Sequence, residues 1–160
     1  MPSTSELIDA YLDGSKILRQ AVAGMSREQL VSRPVPNKWS TLEVVCHLVD
    51  SDQAWIHRMK RVIAEDRPLL IGYDESRFAR ALSYQERDLE EELAIFEQSR
   101  RQLARILRTL PASSWSRDGV HNERGLITLE EHLRVEVEHV SHQLKFVAEK
   151  RQALGLPPVE

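Results

Sequence analysis

A chain of 160 residues is long enough to bury one core and short for two, so residues 1–160 are read as a single domain. Its 22 basic and 25 acidic side chains leave a net charge of -3, without the basic excess that phosphate backbones attract, which argues against a nucleic-acid partner. No apolar run approaches the ~20 residues that span a bilayer, which argues against membrane insertion. The opening MPSTSELIDAYLDG has neither a basic start nor an apolar stretch for export, and the lone Cys46 has no internal disulfide partner. A cytoplasmic protein is expected.

The first helical period runs from about Ser5 to Ala23, with Leu7, Ile8, Tyr11, Leu12, Leu18 and Val22 for its buried face. From Gly24 to Ser40, Pro34 and Pro36 block helix. A second helix spans Thr41 to about Glu65; Leu48, Trp55, Met59 and Val62 mark its buried stripe, widened by Val45, Ile56 and Ile63. Its tail, RMKRVIAEDR, reads as a solvated helix end because acids follow the basic residues at once. The link from Asp66 to Ser83 is long for a bundle turn, and such a link can cross the bundle and make its flanking helices parallel.

A third helix is expected from Tyr84 to Pro111, carrying Leu89, Leu93, Phe96, Leu103, Ile106, Leu107 and Leu110. The fourth runs from Leu129 to about Ala153, before Gly155 and Pro157. Ser40–Glu43, Ser83–Glu86 and Thr128–Glu131 each have the hydroxyl and the carboxylate three residues on that cap a helix start reciprocally. No segment alternates with a period of two over strand length, so no sheet is expected. The fold class is all-α, a four-helix bundle.

At ~100° per residue, the fourth helix places Leu129, Leu133, Val137, Val140, Leu144 and Val147 in one stripe. His132, Glu136, His139 and Gln143 form a polar row on its flank, while His142 turns more toward solvent. Histidines one turn apart are a familiar metal-ligand spacing, but the inward partner of His139 is Gln143, whose amide oxygen is a weaker ligand for zinc or nickel than imidazole. Histidines satisfied by hydrogen bonds at the core edge are the competing reading. On the second helix Asp52 falls within the apolar stripe, where a carboxylate needs a Tyr, Trp or Arg partner or a role beside a metal ligand. His47 lies on the margin of that face. Cys46 reads as a small buried thiol, and His121, in GVHNERG, as part of a turn.

Taken together, NKWSTLEVVCHLVDSD, RVIAEDRPLLIGYDE, WSRDGVHNERGLITLEEHL and EHVSHQLKF resemble the DinB-like superfamily of bacterial four-helix proteins, which includes YfiT-type metal-dependent hydrolases. The resemblance covers most of the chain. It implies an up-down-down-up bundle with a long crossover between the second and third helices, a homodimer, and one divalent metal, zinc or nickel, held by three histidines. Carried across, two ligands fall on His47 and His139 and the third on Gln143, where the sequence departs from the family pattern. Three outcomes follow: His142 swings in as third ligand, Gln143 binds through oxygen, or the metal is absent. Asp52 and Glu136 are then the candidate catalytic or orienting carboxylates, and Pro68–Tyr73 a pocket wall. The implied activity is thiol S-transfer or hydrolysis of a small molecule. The alternative is a non-catalytic small-molecule-binding or dimeric module that has lost its metal.

Overall fold

The structure, a computed structural model, describes residues 2–159. Four long helices form the bundle: α1 (Thr4–Val22), α3 (Thr41–Ala64), α5 (Leu89–Arg108) and α6 (Leu129–Ala153). Two shorter helices, α2 (Arg27–Val31) and α4 (Glu75–Ala81), sit in the connections. α1 and α3 each pack against α5 and α6, which places α1 diagonally across from α3. Directions follow from paired residues. Arg108 reaches Asp9 and Arg19 reaches Glu90, so α5 runs against α1. Arg100 meets Asp52 and Lys60 meets Gln102, so α3 and α5 run together. Arg151 reaches the carbonyls of Ala21 and Ala23, setting α6 parallel to α1. The order is up-down-down-up, and the long link after α3 is the crossover that parallel neighbours require.

Three departures from the sequence reading have physical causes. A small sheet exists: β1 (Leu69–Leu70) pairs in parallel with β2 (Asp118–His121), which pairs antiparallel with β3 (Gly125–Thr128). Strands of two to four residues are too short to show an alternation. The β2–β3 turn closes with Gly125 at φ 76°, a left-handed position that glycine takes without a Cβ penalty. The expected Ser83–Glu86 cap does not form. Ser83 is itself left-handed (φ 52°), Tyr84–Glu86 make a single 3-10 turn, and α5 starts at Leu89 behind Asp88, whose carboxylate accepts from the Glu91 N–H at 2.9 Å. Finally, the tail of α3 is not wholly solvated. Arg61 pairs with Glu65, but Arg58 is only 6% exposed and lies over the Trp55 ring.

The core is apolar in two blocks. One contains Leu18, Leu48, Phe96 and Val140; the other contains Tyr11, Trp55, Met59, Leu103 and Leu133. Between them each long helix brings one unusual residue to the same height: Gly14, Asp52, Arg100 and Glu136. Arg100 is fully buried, and its Nη1 donates to the Tyr11 carbonyl at 2.8 Å. A Cβ on Gly14 would come within 2.4 Å of that Nη1.

Replacing an interior helix glycine by alanine ordinarily stabilises a protein by about 0.5–1 kcal/mol. Gly14→Ala is expected to do the opposite, costing about 1–3 kcal/mol, because the guanidinium is pinned and cannot yield. Urea denaturation checks the sign, and a stabilised variant would mean that Arg100 is free to move.

Candidate metal centre and the polar seam of the bundle

α3 and α6 run antiparallel, and each presents polar residues to the other. On α3 these are His47, Ser51 and Asp52; on α6 they are His132, Glu136, His139 and Gln143. At one end His47 Nε2 lies 3.2 Å from His139 Nε2, with the rings nearly perpendicular. The Gln143 amide nitrogen is 3.3 Å from the same His139 atom. Trp39, just before α3, covers the His47 ring at 5.3 Å between centroids. Burial lowers the His47 pKa, and burial together with the facing His47 pushes His139 down to about 4. Near neutral pH both rings are therefore uncharged and have a lone pair to offer.

The residue set can be tested against a metal. Ligand distances of 2.0–2.1 Å at a tetrahedral angle put donor atoms about 3.3 Å apart, which matches the imidazole pair. A half-turn of the Gln143 amide exchanges nitrogen for oxygen at the third corner. Two imidazoles and one amide oxygen thus fit a divalent ion, with a softer-metal affinity below that of three imidazoles. Among the described residues no cluster of three His, Cys, Asp or Glu side chains is placed to hold one. His142 is not brought to this corner: it is exposed and sits edge-on to Phe146 at 5.2 Å. Of the three outcomes open to the sequence, its entry as third ligand is the one this placement disfavours.

Behind His139, Glu136 Oε1 stands 4.0 Å from Nδ1, the side from which a carboxylate orients a ligating imidazole. Asp52 takes Arg100 Nε at 3.0 Å and Nη2 at 2.8 Å, and Tyr11 OH donates to the same oxygen at 3.4 Å. Its partner is therefore the arginine contemplated from sequence, and Asp52 positions Arg100 and makes no contact with the histidine pair. Arg100 Nη2 also lies 3.6 Å from Glu136 Oε2. One guanidinium thus faces two buried carboxylates. Burial first, and then the Asp52 charge, hold the Glu136 carboxyl well above the ordinary carboxylate range, so it is the one that keeps a proton.

At the other end of the seam, His132 is completely buried, donates from Nδ1 to the Thr128 carbonyl at 2.8 Å and meets the Trp55 ring edge-on. His121 does form the expected turn, since its Nδ1 accepts from the Glu123 N–H at 3.2 Å, but it also stacks on Trp55. The sheet ties crossover and hairpin into one wall here, through Val120 N–H to the Pro68 carbonyl and Gly72 N–H to Asn122 Oδ1. Cys46 is the buried thiol anticipated; burial raises its pKa to about 12.

The class of protein defined here is a four-helix bundle with two facing, uncharged histidines at its polar seam. The sequence profile of the DinB superfamily matches residues 12–147, and the chain belongs to that superfamily. Two relatives share the name "Putative metal-dependent hydrolase". YfiT of Bacillus subtilis is 29% identical over 139 residues, covering 86% of this chain and 78% of the relative. The Oceanobacillus iheyensis protein is 27% identical over 143 residues, covering 89% and 83%. The solved structure of B. subtilis YfiT, described as a probable metal-dependent hydrolase with an unusual four-helix bundle topology, superimposes with a TM-score of 0.90 at 26% identity, over 96% of this chain and 89% of that one.

Removing one partner of a buried pair leaves an uncompensated charge, so Asp52→Ala should lose about 3–5 kcal/mol of folding stability. The double replacement Asp52→Leu with Arg100→Met should recover most of that loss. Denaturant midpoints of wild type, Asp52→Ala, Arg100→Met and the double variant check it; additive losses in the double variant would show that the two side chains do not act as a pair.

Proposed function

We propose that the chain binds one divalent cation, zinc or nickel, through His47 Nε2, His139 Nε2 and the Gln143 side-chain oxygen, and uses it on a small molecule in hydrolysis or thiol S-transfer. The observation that carries this reading is the 3.2 Å approach of two uncharged imidazole nitrogens in a buried seam. The naming of the relatives as metal-dependent supports it. When bound, such an ion supplies Lewis acidity to an oxygen or sulfur placed at its open position.

The protein's own groups supply the rest. Glu136 stands on the Nδ1 side of His139, 4.0 Å away, where a bridging water would let it hold that nitrogen and leave Nε2 to the ion. Asp52 and Arg100 hold Glu136 in place from behind. Trp39 shields the outer flank of His47, and the Pro68–Tyr73 crossover forms the opposite wall, with the Tyr73 hydroxyl buried and unpartnered at its inner side.

A second reading has its own observation. The Gln143 amide nitrogen is placed to donate to His139 Nε2 at 3.3 Å, which gives that lone pair a protein partner without metal. The protein is then a small-molecule-binding module or a dimeric interaction module.

Metal content of untagged protein, followed by zinc titration, separates the two. Under the first reading the wild type binds one equivalent, His47→Ala and His139→Ala abolish binding, and His142→Ala leaves it unchanged. Gln143→His should tighten zinc by about tenfold or more, since each factor of ten needs only about 1.4 kcal/mol, and zinc should then raise the melting temperature by mass action. Wild-type protein that takes up no zinc, while Gln143→His does, supports the second reading. Failure of Gln143→His to bind zinc would sink the assigned geometry.

A further inference from the structure

Arg58 is a buried cation without a counter-ion. It is 6% exposed, and among the described residues neither it nor Arg124 forms a salt bridge. A buried guanidinium is costly when unpaired. Of its five N–H donors, the Ile71 carbonyl engages Nη2 at 2.6 Å, and the Trp55 ring lies 5.1 Å from its carbon. Ile71 belongs to the crossover, so the cation stands where α3 meets the wall of the proposed small-molecule site.

Other groups gather around the same indole. The Arg124 carbon is 5.3 Å from the ring centre, which puts the two guanidiniums within about 10 Å of each other. His121 stacks on the ring at 6.3 Å and an angle of 13°, and His132 meets it at 5.2 Å. The His121 tautomer that accepts at Nδ1 carries its proton on Nε2, a free donor. His132 donates from Nδ1, and its Nε2 is buried without a partner. The Tyr73 hydroxyl is likewise unpartnered, and it is an electrostatic neighbour of Arg58. The positive field of Arg58 also contributes to lowering the pKa of both histidines, after burial. Donors therefore outnumber acceptors around this ring, and the acidic side chains whose field reaches Arg58, Glu136 and Glu123, form no ion pair with it among the described residues.

We infer that Arg58, with Arg124 at the rim and His121 and Tyr73 as further donors, forms a subsite for an oxyanion group of the substrate, a carboxylate or a phosphate, at the opposite end of the seam from the His47–His139 pair. The planar fork of an arginine matches the two oxygens of either group. The His132 lone pair is left for a hydroxyl or a water beside the anion. The substrate class is then a small organic acid or phosphate ester, which narrows the proposed hydrolase or transferase reading. The inference rests on that reading for its meaning, but the binding itself does not need the metal.

The test uses the untagged full chain and two probes, succinate and inorganic phosphate. The indole N–H signal of Trp55 is followed by two-dimensional NMR and assigned by its absence in Trp55→Phe. One or both probes should shift it saturably, and the one that binds tighter identifies the source of the anion. Arg58→Gln should weaken that probe by about tenfold or more, as expected for loss of a charge-assisted fork, with Arg58→Lys intermediate. His139→Ala should leave the shift intact, which separates this subsite from the metal reading: loss of zinc binding with anion binding kept overturns nothing here. Circular dichroism checks that Arg58→Gln is folded, and Arg58→Lys provides the comparison if it is not. The inference is overturned if neither probe binds more tightly than about 50 mM, or if folded Arg58→Gln or Arg58→Lys binds as tightly as wild type.

Discussion

The Asp52–Arg100 pair is the constraint around which this bundle is arranged. Both side chains are 1% exposed, so each has given up its hydration, and the attraction between them must offset that cost. An apolar layer at the same height would stabilise the bundle as well or better, but apolar contacts tolerate sliding. A charge does not, because displacement by one turn would leave it in hydrocarbon. The pair therefore fixes α3 against α5, while the Tyr11 carbonyl and the missing Cβ of Gly14 fix α1 to the same guanidinium. Glu136 brings α6 to that level as the third element. Once α3 and α6 are held there, His47 lies five residues before Asp52, His139 three after Glu136, and the antiparallel run brings the two rings together.

The same charge count shapes the chemistry. One guanidinium cannot neutralise two carboxylates, and Glu136, buried and standing 3.6 Å from it, responds by holding its proton. The protonated Glu136 is the link between the structural pair and the histidines, since its outer oxygen faces His139 while its inner one faces Arg100. Five of the buried polar atoms that have no protein partner belong to this seam and its wall: His47 Nδ1, Asp52 Oδ2, Tyr73 OH, His132 Nε2 and Glu136 Oε1. Buried polar atoms are normally paired. Their gathering along one interface marks the seam as a place for water, ligand or ion; among the described residues the one such atom elsewhere is Thr41 Oγ1, at the start of α3.

How much of this could be read from sequence depended on whether the signal was local. Helix α6 was legible from end to end because its cap, its apolar period and its stop are all contiguous in the chain, and the polar row His132, Glu136, His139, Gln143 fell out of the same period. Asp52 announced itself as a misplaced carboxylate. Its partner was equally visible and went unread: Arg100 sits at the four-three-four spacing of Phe96, Leu103 and Leu107, a cation in an apolar stripe on the helix opposite. The sheet and the burial of Arg58 were not legible. Both depend on the crossover returning to meet a hairpin some fifty residues later, a contact with no local pattern. Ser83 misled because a capping signature is necessary for a box but not sufficient; Tyr84 is buried and bonded to Asp50 at 2.8 Å, which holds this stretch in a turn before the helix can begin.

Position 143 shows how such a site can exchange a ligand without losing its shape. A histidine there would bring one ring nitrogen toward the pair and need an ion or a proton to prevent repulsion between lone pairs. Glutamine carries a donor and an acceptor on one planar group, and a half-turn about its last bond exchanges them. With its nitrogen inward it satisfies His139 directly, as observed at 3.3 Å; with its oxygen inward it completes a coordination corner. His139 Nε2 thus has a partner in both states, whereas a third imidazole would serve it well only in one. Under the proposed metal reading, the geometry of the site would be maintained by the protein's own hydrogen bonds, and an amide oxygen in place of a third imidazole would weaken its hold on a soft divalent ion. The bundle's stability then depends on the buried pair behind the histidines and not on the occupant in front of them.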